Sequence, residues 1–520
     1  MVQGAEGNKI MNGAESLVHT LIACGIDTVF ANPGTSEMHF VAALDRIPGI
    51  NCVLCLDETV ASGAADGYWR VTGRPAATLF HCGPGLANGL ANLHNARRAR
   101  SGILNIVGDQ ATYHRPLDAP LTADTEGWAR PVSGFVRTAK SAATVGRDAA
   151  EAIAAARSGT IATLILPADT AWTEGGVAGE TCEVPARAMP DDEAIASAVE
   201  VLRSGEPAML LLGGRTLRDA TLRQATAIAA ATGCKLLSEM FNARMERGQG
   251  RPPIERIPYF IDAAIHTLSG IKHLILVEAK PPVGFFAYPG KPGRLWPEDC
   301  TLHTLAAIDQ DGSAALTALA QAIEGAEPEI PATPRPAPST GAIEPETVAT
   351  TIAALLPDQA IVIDEGISFG RGFSRFTHGA APHLWLQVPG GAIGGGLPTA
   401  VGAAVSAPGR RVVAIQADGS AMYSIAALWT AARQNLDITV ILLANRKYAI
   451  LLHEFAGVGA NPGPTALGML DLGNPDLNFV KLAEGMGVAA AQAPNMARLN
   501  ELLASSVEHK GPFLIELLTG

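Results

Sequence analysis

Residues 411–450, RVVAIQADGSAMYSIAALWTAARQNLDITVILLANRKYAI, carry the reading from which the fold follows. The apolar run 411–417 predicts a buried strand that stops at Asp418-Gly419-Ser420. A helix over about Ser424–Asn435 then returns the chain, and a second strand, 438–444, stops at Asn445. Strand, helix and strand in that order make a right-handed parallel unit, so Asp418 and Asn445 fall just beyond the C-terminal ends of successive parallel strands, where open α/β sheets bind ligands. A carboxylate and an amide oxygen are hard ligands suited to Mg²⁺, which keeps few protein ligands and completes its shell with phosphate and water. Gly419 allows close backbone approach, and the N–H groups opening the next helix favour an anion. Taken alone, D-G-S also reads as an ordinary turn; its context favours a diphosphate clamp.

The same alternation extends outward. DTVFANPG, NCVLCLDE, AATLFHCGPG, GILNIVGDQ and ATLILPAD are short apolar runs closed by Gly, Pro or an acid, with Ala-rich segments such as TVASGAADGYWRVT between them. They predict buried parallel strands in a doubly wound sheet. PAMLLLGG, CKLLSEM and KHLILVEA, with the helix DDEAIASAVEVLRSG, repeat the pattern, as do AIVIDEG, LWLQVPGG and PFLIELLTG around the opening stretch. The expected fold is α/β: three doubly wound domains with mainly parallel sheets, at 9–172, 190–325 and 342–520. The Pro-rich 326–341, AEPEIPATPRPAPSTG, reads as an extended linker. The 520 residues suit about three cores.

Composition excludes some functions. A formal charge of −12 argues against nucleic acid, which demands clustered Lys and Arg. No apolar run reaches the length of a membrane span, and MVQGAEGNKIMNGAES lacks a signal-peptide pattern, so a cytoplasmic enzyme is expected. Seven scattered cysteines suit reduced thiols. Cys52-x-x-Cys55 lacks a second ligand pair and reads as part of a buried strand rather than a zinc or redox motif.

The 418–445 segment resembles the thiamine diphosphate signature, in which an acid-Gly pair precedes an Asn one strand–helix–strand unit away. Nearly the whole chain is similar to benzoylformate decarboxylases and, next, to acetolactate synthase catalytic subunits. Ala417 stands where the motif has Gly, and Ala444-Asn445-Arg446 where a double Asn is frequent. The resemblance implies the domain order pyrimidine-binding, central, diphosphate-binding. It implies thiamine diphosphate held through Mg²⁺ (Ca²⁺ or Mn²⁺ being acceptable substitutes) by Asp418, Asn445 and the carbonyl of Lys447. Gly419, Ser420, Tyr423, Tyr448 and Ser368 would contact the cofactor. Glu58, before A-x-x-x-A-D-G-Y, would exchange a proton with N1′ of the aminopyrimidine; without the resemblance it reads as a helix-start acid. Gly391 would meet the 4′-amino group, and Ile393 would hold the cofactor bent. Active sites would form between subunits of a homodimer or homotetramer.

For the substrate, the resemblance points to Thr35 in NPGTSEM and His81 in LFHCGPG as catalytic groups, with Asp109, Gln110, Phe286, Leu451, His453 and Phe455 lining the pocket. Phe286 replaces the second histidine of the decarboxylases, which keeps carboligation open. His94, His114 and the arginines of NARRAR read as surface or subunit contacts. The expectation is a 2-oxo acid decarboxylase with carboligase capacity acting on a 2-oxo acid or aldehyde. The alternatives are a synthase joining two 2-oxo acids and a non-catalytic structural or regulatory homologue. FAD, carried by the biosynthetic synthases, is possible, but no strong site for it is evident.

Overall fold

The computed structural model describes residues 11–184, 186–326 and 328–520, so residues 9 and 10 of the first expected domain and most of the N-terminal stretch lie outside the described residues. Three sheets form. The first has six parallel strands in the spatial order Asn51–Leu54, Thr28–Ala31, Ala76–Phe80, Ile103–Asp109, Ile161–Pro167, Phe135–Thr138. The second has five parallel strands in the order Glu255–Arg256, Lys235–Ser238, Ala208–Leu212, His273–Val277, Thr301–Ala306. In the third, six parallel strands run Ala489–Ala493, Phe513–Leu518, Ile438–Ala444, Val412–Ala417, Ile361–Glu365, His383–Gln387, and Met245–Arg247 is added antiparallel at the edge. That added strand comes from between the strands of the second sheet. It couples the two layers through backbone hydrogen bonds that no local pattern announces.

The central strands are buried throughout, as Ile438–Ala444 and Ile161–Pro167 show, so both faces need helices and the sequence reads as continuous apolar runs. The strands absent from the sequence reading, Phe135–Thr138, Glu255–Arg256, Thr301–Ala306 and Ala489–Ala493, all lie at sheet edges and carry polar or Ala-rich sequence. One expectation is corrected. Asn51–Leu54 is an edge strand rather than a buried one, with Cys52 exposed and Cys55 buried just past its end. Two residues three apart in extended chain face opposite sides, so the pair cannot share a ligand. The helix expected over 424–435 is also shorter: one turn, Asp418–Ala421, follows the strand directly, and the return helix is Ala427–Arg433.

One helix crossing fixes the first sheet against the third. The Glu58–Thr72 helix starts where Asp57 accepts the Thr59 N–H at 2.7 Å and ends at Gly73 in left-handed conformation. Its small residues meet the Gly396–Ser406 helix almost backbone to backbone. A Cβ added at Gly402 would lie 1.7 Å from the Ala64 carbonyl oxygen, and one at Gly67 would lie 2.1 Å from that of Thr399. The Ala- and Gly-rich composition of both segments is the condition for this approach. Residues 326 and 328–340 contain no helix or strand. Arg335 there donates to the carbonyls of Ala354 and Leu356, which close the Pro345–Leu355 helix. No helix among the described residues is long and apolar enough to cross a membrane.

Candidate active site

In the third sheet, Asp418 lies at the C-terminal end of Val412–Ala417 and is 3% exposed. Its Oδ1 accepts the Gly419 N–H at 2.8 Å and its Oδ2 the Arg446 N–H at 2.6 Å. It makes no ion pair among the described residues, and burial pushes its carboxyl pKa up. A buried carboxylate without a counter-charge is costly unless a cation joins it, so the donor set fits a hard divalent ion. Asn445 ends the neighbouring strand, and its Oδ1 accepts the Lys447 N–H at 3.1 Å. Lys447 is clamped by a bridge to Asp471, while Tyr448 donates its N–H to the Leu470 carbonyl. The Tyr448 ring covers Gly419 so closely that a Cβ there would lie 2.5 Å from it. Ser420 is buried at the one-turn helix, and Tyr423 beside it is 58% exposed.

The adjoining loop is organised by a residue the sequence reading passed over. Glu365, 2% exposed, accepts the N–H of Gly394 (2.8 Å) and Gly395 (3.3 Å) on Oε1, and of Gly396 (2.8 Å) with the Gln416 amide (2.7 Å) on Oε2. This carboxylate holds the loop carrying Gly391 and Ile393. Gly391 has φ +75° and faces the Phe285 ring, so any side chain there would be both strained and blocked. Asn95 secures the same loop from the first sheet's side, donating to the Ala392 carbonyl (2.8 Å) and accepting its N–H (3.1 Å), and His94 meets the Gly390 carbonyl at 3.2 Å. His94, half-buried, thus also serves a contact within the chain. Ser368 sits in the turn closed by the Gly370 N–H on the Gly366 carbonyl.

In the first sheet, Glu58 opens its helix at the C-terminal side of Asn51–Leu54. It is 6% exposed, with Oε2 accepting the Asn88 amide at 3.0 Å and Oε1 lying over Gly85. His81 follows Ala76–Phe80, and its Nδ1 is 2.9 Å from Oε2 of Glu37, a fully buried carboxylate that also accepts the Gly34 N–H at 2.7 Å. A carboxylate only accepts, so His81 carries its hydrogen on Nδ1 and turns Nε2 to other partners. Glu37 was missed although NPGTSEM contains it, because nothing in one dimension links it to His81. Thr35 lies exposed on the same short turn. Asp109 is buried at the end of its strand, ion-paired with Arg115 and accepting the Gln110 N–H at 2.7 Å, and Gln110 donates to the Pro120 carbonyl.

Between the second and third sheets Phe285, Phe286, Phe241, Tyr259 and Phe260 form a continuous set of ring contacts, reached by His453 against Phe260 at 6.4 Å. Phe285 lies on Gly391, and Phe286, expected in the substrate pocket, packs edge-on against Phe285 and is 55% exposed. Arg371 stacks over Tyr259 at 4.0 Å. Leu451, His453 and Phe455 lie on the Ala449–Gly457 helix, tied down where Tyr259 and Tyr288 donate to Glu454.

A flavin fits poorly in the second sheet. At its switch point, beside Gly213-Gly214, the Glu278 carboxylate accepts the N–H of Arg215 (2.9 Å) and Gly312 (3.1 Å), so the chain itself fills the hole a diphosphate would need. Arg100, Arg187, Arg215, Arg218 and Arg244 line the cleft of about 430 Å³ beside it. Arg100, from NARRAR, donates to the Glu278 carbonyl and so binds two layers of one chain, not a surface role.

The thiamine pyrophosphate enzyme N-terminal TPP binding domain matches residues 11–128, and the C-terminal TPP binding domain matches 371–517. A Mycobacterium tuberculosis protein, provisionally named acetolactate synthase large subunit IlvX, is 50% identical over 98% of this chain and 99% of its own. Benzoylformate decarboxylase of Pseudomonas aeruginosa is 30% identical over 95% and 96%. The structure of a 4-hydroxybenzoylformate decarboxylase from Rhodococcus jostii superposes with a TM-score of 0.83 at 24% identity, covering 98% of this chain and 99% of that one. The fold, the domain matches and these relatives together establish that the chain belongs to the thiamine pyrophosphate enzymes, in the branch that holds both decarboxylases and acetolactate synthases.

Proposed function

We propose that the protein is a Mg²⁺-assisted lyase that breaks the C–C bond beside the carbonyl of a 2-oxo acid, as benzoylformate decarboxylase does, and that also joins the resulting acyl unit to a second carbonyl. The observation that carries this reading is the pairing of His81 with the buried Glu37 at the C-terminal end of Ala76–Phe80. When bound, thiamine diphosphate would supply a nucleophilic thiazolium carbon and an electron sink for the bond beside the 2-oxo carbonyl. Asp418, Asn445 and the Lys447 carbonyl hold the metal and through it the diphosphate; Ser368, Ser420, Tyr423 and Tyr448 surround it. Gly391 would meet the 4′-amino group, and Ile393 would support the cofactor. Glu58 exchanges a proton with the pyrimidine N1′.

His81 delivers or takes a proton at Nε2 while Glu37 fixes its tautomer, and Thr35 orients the substrate. Phe286, standing where the decarboxylases have their second histidine, brings no proton donor, which favours carboligation once carbon dioxide has left. An acetolactate synthase-like reaction is the second reading, favoured by that apolar side chain. The active assembly is a homodimer or homotetramer with Glu58 and Asp418 of different chains on one cofactor; Leu56, at 50%, and Tyr423, at 58%, are apolar side chains exposed beside the two half-sites.

The test is product analysis with pyruvate, benzoylformate and benzaldehyde, on protein loaded with thiamine diphosphate and Mg²⁺, with Glu58→Gln as control. Aldehyde from a 2-oxo acid, lost in the variant, supports the decarboxylase. Acetolactate, acetoin or benzoin instead makes carboligation dominant. No product from any of them, with cofactor bound, removes these substrate classes.

A further inference from the structure

Three unlike ligand groups meet at the C-terminal end of Ala76–Phe80. A carboxylate oxygen of Glu37, a ring nitrogen of His81 and the Sγ of Cys82 all lie within 4.8 Å of one another. Glu37 is fully buried and Cys82 is 1% exposed, while the His81 side chain is 28% exposed. Cys82 is the first residue of an 18-residue helix and has φ +54°, a conformation that costs a non-glycine residue energy and persists only where its surroundings impose it. It turns Sγ to within 2.9 Å of the Ser36 hydroxyl. Asp109 adds a second buried carboxylate near the thiol, and Arg115 balances only that one.

We infer that Glu37, His81 and Cys82 form a binding site for a borderline or soft divalent cation such as Zn²⁺ or Cd²⁺, separate from the Asp418 site. Nitrogen, oxygen and sulfur from three side chains, with one position left open, are the donor set and coordination number of an open tetrahedral zinc site. A thiolate selects against Mg²⁺, so the two cation sites differ in ligand softness and do not compete. The metal ligand is the thiolate, so each ion bound releases one proton from Sγ to solvent. His81 remains neutral, coordinating through Nδ1 and shifting its hydrogen to Nε2, and Glu37 exchanges its hydrogen bond for a metal bond. The bound ion takes His81 out of proton transfer and fills the place of the substrate, making the site inhibitory. That last consequence rests on the proposed reaction, whereas the binding does not.

The test uses holoenzyme saturated with thiamine diphosphate and Mg²⁺, titrated with Cd²⁺ while the thiolate-to-metal charge-transfer absorbance is recorded, and with Zn²⁺ in a calorimeter. The expected result is one ion per chain, a heat that depends on buffer ionisation as one released proton demands, and reversal by a chelator. Cys82→Ser, which retains a hydroxyl beside Ser36, should weaken binding by at least about 100-fold, more than loss of an outer-sphere partner does. His81→Gln, at a more open position, should do the same and serves if the first variant does not fold. Cys52→Ser should change nothing, because that exposed thiol stands apart from the cluster. A one-equivalent band that persists in Cys82→Ser, or that disappears in Cys52→Ser, overturns the site. So does the absence of stoichiometric binding to the wild-type protein. Binding without inhibition leaves the site standing and counts against the role given to His81.

Discussion

Glu365→Ala probes how the cofactor loop is held. The side chain accepts four hydrogen bonds, three from the consecutive N–H groups of Gly394, Gly395 and Gly396 and one from Gln416. Truncation orphans those three buried backbone donors at about 1–3 kcal/mol each, roughly 3–9 kcal/mol together before any water enters the space. Glu365→Gln is far gentler. Its carbonyl keeps Gly394 and Gly395, and its amide finds the Gln416 Oε1, a buried acceptor with no partner, once that side chain flips. The Gly396 N–H and the flipped Gln416 Nε2, which takes the place of the unpartnered Oε1, are then left over, so the net loss is one donor at about 1–3 kcal/mol, and removing a buried charge offsets part of that. Urea unfolding of both variants, with thiamine diphosphate affinity measured in parallel, checks the ordering. Ala should unfold well below Gln and bind cofactor more weakly, since the loop carrying Gly391 loosens. Equal stability of the two variants, or an Ala variant matching the wild type, would refute the account of Glu365 as the anchor.

Asp418→Asn should leave the cofactor-free protein within about 2 kcal/mol of the wild type, because one backbone acceptor is lost but a buried charge is removed. It should abolish the stabilisation by Mg²⁺ and thiamine diphosphate, about 2.7 kcal/mol at 100 times Kd, as thermal shift would show. His383 is buried, with Nδ1 facing the Ala381 carbonyl, and burial pulls its pKa down to about 3. The unfolded chain binds this proton near pH 6.5 and the folded one does not, so stability falls as pH drops from about 6.5 towards 3, by up to about 4–5 kcal/mol. A His383→Gln variant should show a flatter slope in pH-dependent denaturation. Gly402→Ala forces a methyl onto the Ala64 carbonyl and should cost at least about 1–3 kcal/mol, with slower recovery of cofactor binding on refolding, whereas the open Gly409→Ala is limited to its backbone strain.

The sequence by itself determined the strands that are buried on both faces, since such strands must be apolar along their whole length and end in Gly, Pro or an acid. It placed Asp418, Asn445, Glu58 and His81 at strand ends for the same reason, because the end of an apolar run is a local property. It could not show Glu37 beneath His81, Glu365 beneath the glycine loop, or Phe285 over Gly391. Each of those depends on which strands are neighbours and on side-chain direction, and neither is encoded within one segment. Edge strands such as Ala489–Ala493 and Met245–Arg247 escaped notice because half of their environment is solvent or another layer, so no apolar run marks them. The roles of His94 and Arg100 were likewise decided only by tertiary structure, which turns two polar positions on one helix into links between layers of the same chain.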